Sequence, residues 1–295
     1  DRCNLRCKYC FQQGNDSARP SGKVSKLTID RFVDYCADNV VDTVEIFGGE
    51  PLFYRDLFAY AVSSLRARMP HVGLGTVTNG TMLDEKVMSL IERERINVLV
   101  SIDGTPTRHD EMRGGFDRIS KWFSRLTALD TVTAAIQAGK IEGLYDNISY
   151  LWQAGFRKGV FVNVIYNYGW YKEADVQRFQ SEYERAVQGM LRGEGTLLCA
   201  VRLHGLLQNA DGFQVCGLLA NGLTCDWDGT LYPCIRAPEL GVDFAIGNIS
   251  RGVDTARNKN LRGRISTEYT SSPGARQYPM VNLCPVAVYQ QEGRF

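Results

Sequence analysis

From residue 28 to about residue 190 the chain alternates between two hydrophobic periods. Short runs rich in β-branched residues stand at Thr43–Phe47, Gly73–Val77, Val98–Ile102, Val132–Gln137 and Val160–Ile165. Between them lie longer stretches whose apolar residues recur three and four positions apart: Ile29–Val40, Leu57–Arg68, Asp84–Arg93, Arg118–Leu126, Leu144–Ala154 and Glu173–Leu191. The first pattern fits strands, the second helices with one buried stripe. Strand and helix in turn build a parallel sheet covered by helices. Polar or glycine residues close the strands: Gly48-Gly49-Glu50, Thr78-Asn79-Gly80, Ser101 and Asp103-Gly104. In parallel α/β folds and barrels the chemistry gathers at the C-terminal ends of strands, so these loops are expected to line one site.

The rhythm changes after about residue 195. Leu197–Leu207 reads as one more helix, and Thr224–Cys234 as a hairpin with Asp228-Gly229 at its turn. From Ala237 to Phe295 the periodicity fades and Ser, Gly, Arg and Pro become frequent. That segment is expected to be a loop-rich appendage that needs a metal to stay ordered. The domains expected are therefore 1–195 and 196–295.

Composition narrows the classes. With 44% hydrophobic residues in a chain of 295, there is material for a sizeable core. A formal net charge of +1 gives nucleic acid or an anionic membrane no electrostatic footing. No apolar run approaches the roughly 20 residues that span a bilayer. The sequence opens at Asp1 without a methionine, two residues before its first cysteine, and further N-terminal chain is expected.

The nine cysteines fall mainly into two groups, three within the first ten residues and four between Cys216 and Cys284. Cys36 and Cys199 stand apart in apolar settings, FVDYCADNV and LLCAVRL, where a buried thiol is the plain reading. Cys3, Cys7 and Cys10 have the spacing C-x3-C-x2-C, tight enough to wrap one iron–sulfur cluster. Three ligands leave one iron of a four-iron cluster open to something else. Zinc is the competing reading, but it wants a fourth ligand nearby, and the next histidine is His71. A disulfide would leave one thiol over.

CNLRCKYC followed by Phe11, with Tyr9 before the third cysteine, resembles the signature of the radical S-adenosylmethionine (SAM) superfamily. FGGEP at Phe47–Pro51, TNGT at Thr78–Thr81, VSIDG at Val100–Gly104 and HDEMRGGFD at His109–Asp117 extend the likeness over residues 1–190. The resemblance implies an α/β fold, a partial (β/α)6 TIM-like barrel. It also implies a [4Fe-4S] cluster on Cys3, Cys7 and Cys10 whose open iron binds the methionine end of SAM. One electron then cleaves SAM to a 5′-deoxyadenosyl radical, which abstracts hydrogen from a substrate carbon. On the same basis Tyr9, Phe11, Gly48, Gly49, Glu50, Asn79, Ser101, Asp103 and Arg113 are cofactor-binding candidates. Gly48 and Gly49 would let the backbone approach the methionine amine, which Glu50 helps to orient. Ser101, Asn79, Asp103 and Arg113 would hold the ribose and carboxylate.

Cys216, Cys225, Cys234 and Cys284 are spaced C-x8-C-x8-C-x49-C. Four thiolates suffice for one fully ligated cluster or for a structural zinc. Gly229–Cys234 (GTLYPC), with Cys216 before it and IGNIS after it, resembles the opening of a SPASM domain, an extension that carries auxiliary clusters in radical SAM peptide-modifying enzymes. The later run of cysteines found in such domains is missing here, so the resemblance implies one auxiliary [4Fe-4S] cluster in a shortened, twitch-type domain. Cys225 has a second reading as a buried thiol. Ile235 stands where related sulfatase-maturing enzymes carry an acidic base, with Asp226 and Asp228 nearby.

These resemblances imply a ribosomally made precursor peptide as substrate, modified by cross-link, thioether or epimerisation, and an electron donor such as flavodoxin or ferredoxin. The alternatives are a twitch-type dehydrogenase of a small molecule, a non-enzymatic electron carrier, and a zinc-stabilised binding protein. Tyr166, Tyr168, Trp170 and Tyr171 are read either as a substrate mouth or as a packed aromatic loop. Oxygen-sensitive clusters make the cytoplasm the expected compartment.

Overall fold

In the computed structural model the five β-rich runs form one sheet: β1 (Thr43–Ile46), β2 (Gly73–Thr78), β3 (Asn97–Ser101), β4 (Val132–Ala138) and β5 (Val160–Val164). The structure describes residues 2–12, 22–138, 142–164, 173–193 and 222–271. Neighbours in the sheet follow chain order and all pair in parallel, Thr43 opposite Gly73, Gly75 opposite Asn97, Val98 opposite Val132 and Ala134 opposite Val160. Parallel pairs need crossovers. The helices that supply them are α2 (Arg55–Arg68), α3 (Glu85–Glu94), α4 (Pro106–Met112), α5 (Phe116–Ser120), α6 (Phe123–Ala128) and α7 (Leu144–Gln153), with α8 (Glu173–Leu191) after β5. This is the α/β architecture of a partial TIM-like barrel. The expected helix Leu197–Leu207, and any sixth repeat, lie outside the described residues.

The chain divides into two compact units, Asp1–Asp16 with Val41–Val201, and Ser17–Val40 with Arg202–Phe295. In the first, Leu74, Met88, Ile91, Ile96, Ile102, Leu126 and Leu151 are fully buried on or against the sheet. Local chemistry places the elements: Asp84 caps α3 by accepting from Val87 N at 2.9 Å, and Thr105 caps α4 with Pro106 in its first turn. The single helix expected over Arg118–Leu126 is instead two, α5 and α6, and α4 precedes them. Seven residues are too few to display a hydrophobic period, and Gly114 and Gly115, at φ 82° and 84°, end α4 abruptly.

In the second unit β6 (Thr224–Cys225) and β7 (Thr230–Tyr232) make the expected antiparallel hairpin, with Gly229 at φ 87° in its turn. The sheet continues through β8 (Gly247–Asn248) and β9 (Gly252–Val253), and the 17-residue helix α9 (Thr255–Ser271) follows. Over residues 237–271 the chain is more regular than the loop-rich appendage expected, and the rest of that stretch lies outside the described residues. Leu261 and Ile265, one turn apart, are the buried residues among the described side chains of α9, too narrow a stripe to read from sequence. They join Leu231, Tyr232, Ala237, Phe244, Ile246 and Ile249 in an apolar core. Phe32 and Tyr35 of α1 (Lys26–Asp38) pack on it. Packing therefore contributes to the order of this unit.

Candidate active site

The cysteine loop of residues 2–12 is fastened to the loops after β1 and β2 and to the end of α4. Glu50 N donates to Arg2 O at 2.8 Å, Asn4 Nδ2 to Thr81 Oγ1 at 2.8 Å, and Lys8 N to Met112 O at 3.0 Å. The Phe11 ring stacks near Phe47, centroids 6.4 Å apart. The loop so anchored carries Cys3, Cys7 and Cys10, all half-buried. Burial raises the Cys3 pKa and pushes the Cys7 thiol up to about 11, against the pull of Arg113.

Each predicted residue has a definite place. Glu50 is buried and joins two strand ends: Oε1 accepts from Leu52 N at 3.1 Å and Thr78 Oγ1 at 2.6 Å, and Oε2 from Asn79 N at 2.8 Å. Asn79 faces the cysteine loop, donating to Asn4 Oδ1 at 3.1 Å and to Cys3 Sγ at 3.7 Å. Ser101 is buried at the end of β3. Asp103 and Arg113 meet each other, Nε to Oδ2 at 3.2 Å, and the Tyr9 hydroxyl donates to the same carboxylate oxygen. The Arg113 guanidinium lies over the Tyr9 ring at 5.1 Å and donates to Cys7 Sγ at 3.8 Å. Gly48 and Gly49 are half-buried on the loop after β1. A Cβ on Gly48 would meet nothing within 4 Å, so packing inside the protein does not demand glycine there.

The donor set fits a four-iron cluster with an exchangeable ligand. N–H groups point at thiol sulfurs, as Leu5 N does at Cys3 Sγ (3.4 Å), and hydrogen bonds to sulfur are a normal feature of such sites. The space beside Gly48 is open, and a side chain there would project into it. Among the described residues no three His, Cys, Asp or Glu side chains close on a point that would hold a metal ion.

Sequence reasoning missed a second layer. His109, wholly buried, accepts the Asp103 N–H at Nδ1 (3.3 Å), while its Nε2 has no hydrogen-bond partner among the described residues. Burial first, and the Arg113 charge second, hold its pKa below 6.5. Asn147 of α7 accepts from Thr105 N at 3.0 Å and donates to Gly143 O at 2.7 Å. Its signal was present: a lone amide on the apolar stripe of Leu144, Ile148 and Leu151.

In the second unit Cys225 and Cys234 are half-buried against the apolar core. Burial, then Asp226, Asp228 and Cys36, push the Cys225 thiol up to about 12. Cys36 is 2% exposed on α1, as a buried thiol should be. Cys199, Cys216, Cys284 and the aromatics Tyr166, Tyr168, Trp170 and Tyr171 lie outside the described residues. No helix among the described residues is long and apolar enough to cross a membrane.

Comparison with known proteins agrees with this geometry. Residues 1–169 match the profile of the Radical SAM superfamily. A probable GTP 3',8-cyclase of Methanocella arvoryzae is 31% identical over 143 residues, 47% of this chain and 42% of that protein. The GTP 3',8-cyclase of Chlorobaculum tepidum is 26% identical over 152 residues, 48% of this chain and 43% of its own. The chain thus spans about two fifths of the length of the curated relatives it matches. The solved structure of native anSMEcpe with bound AdoMet and Cp18Cys peptide has the same fold, with a TM-score of 0.74 at 19% identity over 96% of this chain and 85% of that one.

Proposed function

Because the chain belongs to the radical SAM superfamily, we propose that Cys3, Cys7 and Cys10 hold a [4Fe-4S] cluster whose open iron takes SAM, and that the enzyme abstracts hydrogen from a peptide. When bound, the cluster supplies the electron that cleaves SAM, and with it the hydrogen-abstracting chemistry. The protein positions and shields. Gly48 and Gly49 leave room for the methionine amine against the backbone. Glu50 keeps that loop in register with Asn79, and Ser101 at the end of β3 would help to hold the ribose. Arg113, with Asp103 buried behind it, would stand on the carboxylate side. An external reductant such as flavodoxin or ferredoxin completes the system.

The peptide reading rests chiefly on the second unit. Its hairpin carries Cys225 and Cys234 beside Gly229, the arrangement that resembles a shortened SPASM domain. The fold likeness to AdoMet- and peptide-bound anSMEcpe over 96% of the chain supports it. With Cys216 and Cys284, these thiols would bind one auxiliary cluster. Ile235, in place of an acidic base, favours a cross-link, thioether or epimerised product over oxidation of a Ser or Cys side chain. A nucleotide substrate is the second reading, favoured by the GTP 3',8-cyclase relatives.

The test is anaerobic reconstitution followed by reduction in the presence of SAM, with 5′-deoxyadenosine and methionine quantified. The parent should hold about eight irons and the Cys3/Cys7/Cys10→Ala variant about four, without SAM cleavage. A parent that holds iron yet never cleaves SAM overturns the enzyme reading. Incubation with GTP, and separately with short peptides encoded beside the gene, decides the substrate: conversion of GTP alone overturns the peptide reading.

A further inference from the structure

We propose that the buried Asp103–Arg113 pair sets the reduction potential of the cluster on Cys3, Cys7 and Cys10 by presenting one partly compensated cation to the Cys7 sulfur. The inference rests on the reading that these cysteines hold a four-iron cluster.

The sulfurs of Cys3 and Cys7 have different donors. Cys3 receives neutral donors, Leu5 N at 3.4 Å and Asn79 Nδ2 at 3.7 Å. Cys7 receives a charged one, Arg113 Nη1 at 3.8 Å. The Arg113 side chain is 7% exposed and that of Asp103 is 0%, so water screens neither charge well. Reduction adds one negative charge to the cluster, and potential follows net charge and hydrogen bonds at the sulfurs. A fixed cation at that distance stabilises the reduced form and raises the potential. Asp103 works in the opposite sense, and more weakly. Among the charges acting on the Cys7 thiol, Arg113 ranks first and Asp103 behind Cys10 and Cys3. The Tyr9 hydroxyl trims the effect further by donating to the same Asp103 oxygen that Arg113 holds. Pairing lowers the cost of burying the guanidinium, which the Tyr9 ring at 5.1 Å and the Cys7 sulfur also hold in place. His109 Nδ1 fixes the Asp103 backbone from the other side.

The experiment is a redox titration followed by electron paramagnetic resonance, on the reconstituted full chain without SAM. The signal of the Cys3/Cys7/Cys10→Ala variant is subtracted to remove any distal cluster. Asp103→Asn leaves the cation uncompensated and should raise the midpoint potential above the parent. Arg113→Gln removes the cation and should lower it. Tyr9→Phe strengthens the Asp103 charge and should lower it by less. Equal potentials across variants with parental iron content overturn the inference, as does a shift of both charge variants in one direction. If either charge variant fails to take up iron, Tyr9→Phe decides alone, and an unchanged potential there is equally fatal. A parent without iron at these cysteines overturns the cluster reading itself, which the iron assay shows before any titration begins.

Discussion

Glu50 Oε2 accepts the backbone N–H of Asn79 at 2.8 Å, so one buried carboxylate sets the spacing between the loops after β1 and β2. The other oxygen serves Leu52 N and Thr78 Oγ1. Glu50→Gln keeps the shape but turns an NH2 group toward the Asn79 N–H, leaving buried donors face to face. The expected loss is about 1–3 kcal/mol of stability in urea unfolding, the usual cost of an unsatisfied buried group. SAM affinity should fall with it in a binding titration of the reconstituted protein.

Gly104 is needed for two reasons. Its φ is 106°, and a Cβ would meet Asn147 Oδ1 at 2.2 Å. Gly104→Ala should destabilise by about 3 kcal/mol or more, combining left-handed strain with overpacking. Asn147→Ala alone should cost about 1–3 kcal/mol, since Thr105 N loses its acceptor. The double variant should cost less than the two losses summed, because removing Asn147 vacates the space. Thermal unfolding of the four proteins gives the coupling directly.

His109 gives stability a pH signature. Its pKa is lowered from 6.5 in the folded state by burial, with Arg113 adding to the effect. The unfolded chain therefore binds the proton more readily, and stability falls as pH drops from about 6.5 through the lower folded value. His109→Asn places an amide oxygen near the Nδ1 position and does not titrate. Its stability, measured by denaturant unfolding from pH 7.5 to pH 5, should lack that component of the slope.

Val40 is 84% exposed with φ 52°, a left-handed conformation that a β-branched residue tolerates poorly. Val40→Gly relieves that strain, offset in part by the greater freedom of glycine in the unfolded chain. The net expectation is a gain of up to about 1 kcal/mol, seen as a higher unfolding temperature of the second unit.

Much of the barrel was legible because buried parallel strands and amphipathic helices announce themselves by period. The run Thr43–Phe47 became β1 at Thr43–Ile46, and Glu173–Leu191 became α8 with both ends as expected. What failed was short or polar. α4 has seven residues, and α9 hides its contact face in Leu261 and Ile265. The site was legible as a set of motifs at strand ends, and the structure does bring Tyr9, Glu50, Asn79, Asp103 and Arg113 around the cysteine loop. Their pairings were not legible. That Arg113 grips Asp103 and leans on Tyr9 depends on how α4 turns back after β3, information spread over His109, Gly114 and Asn147 rather than held in any one motif.

Gly48 is exempt from the usual bond between stability and importance. A methyl group there would strike nothing within 4 Å, so Gly48→Ala should melt, express and crystallise like the parent. A screen that selects variants for robustness would accept the substitution and carry it forward unnoticed. The defect would surface only when a ligand tried to occupy the same few cubic ångströms.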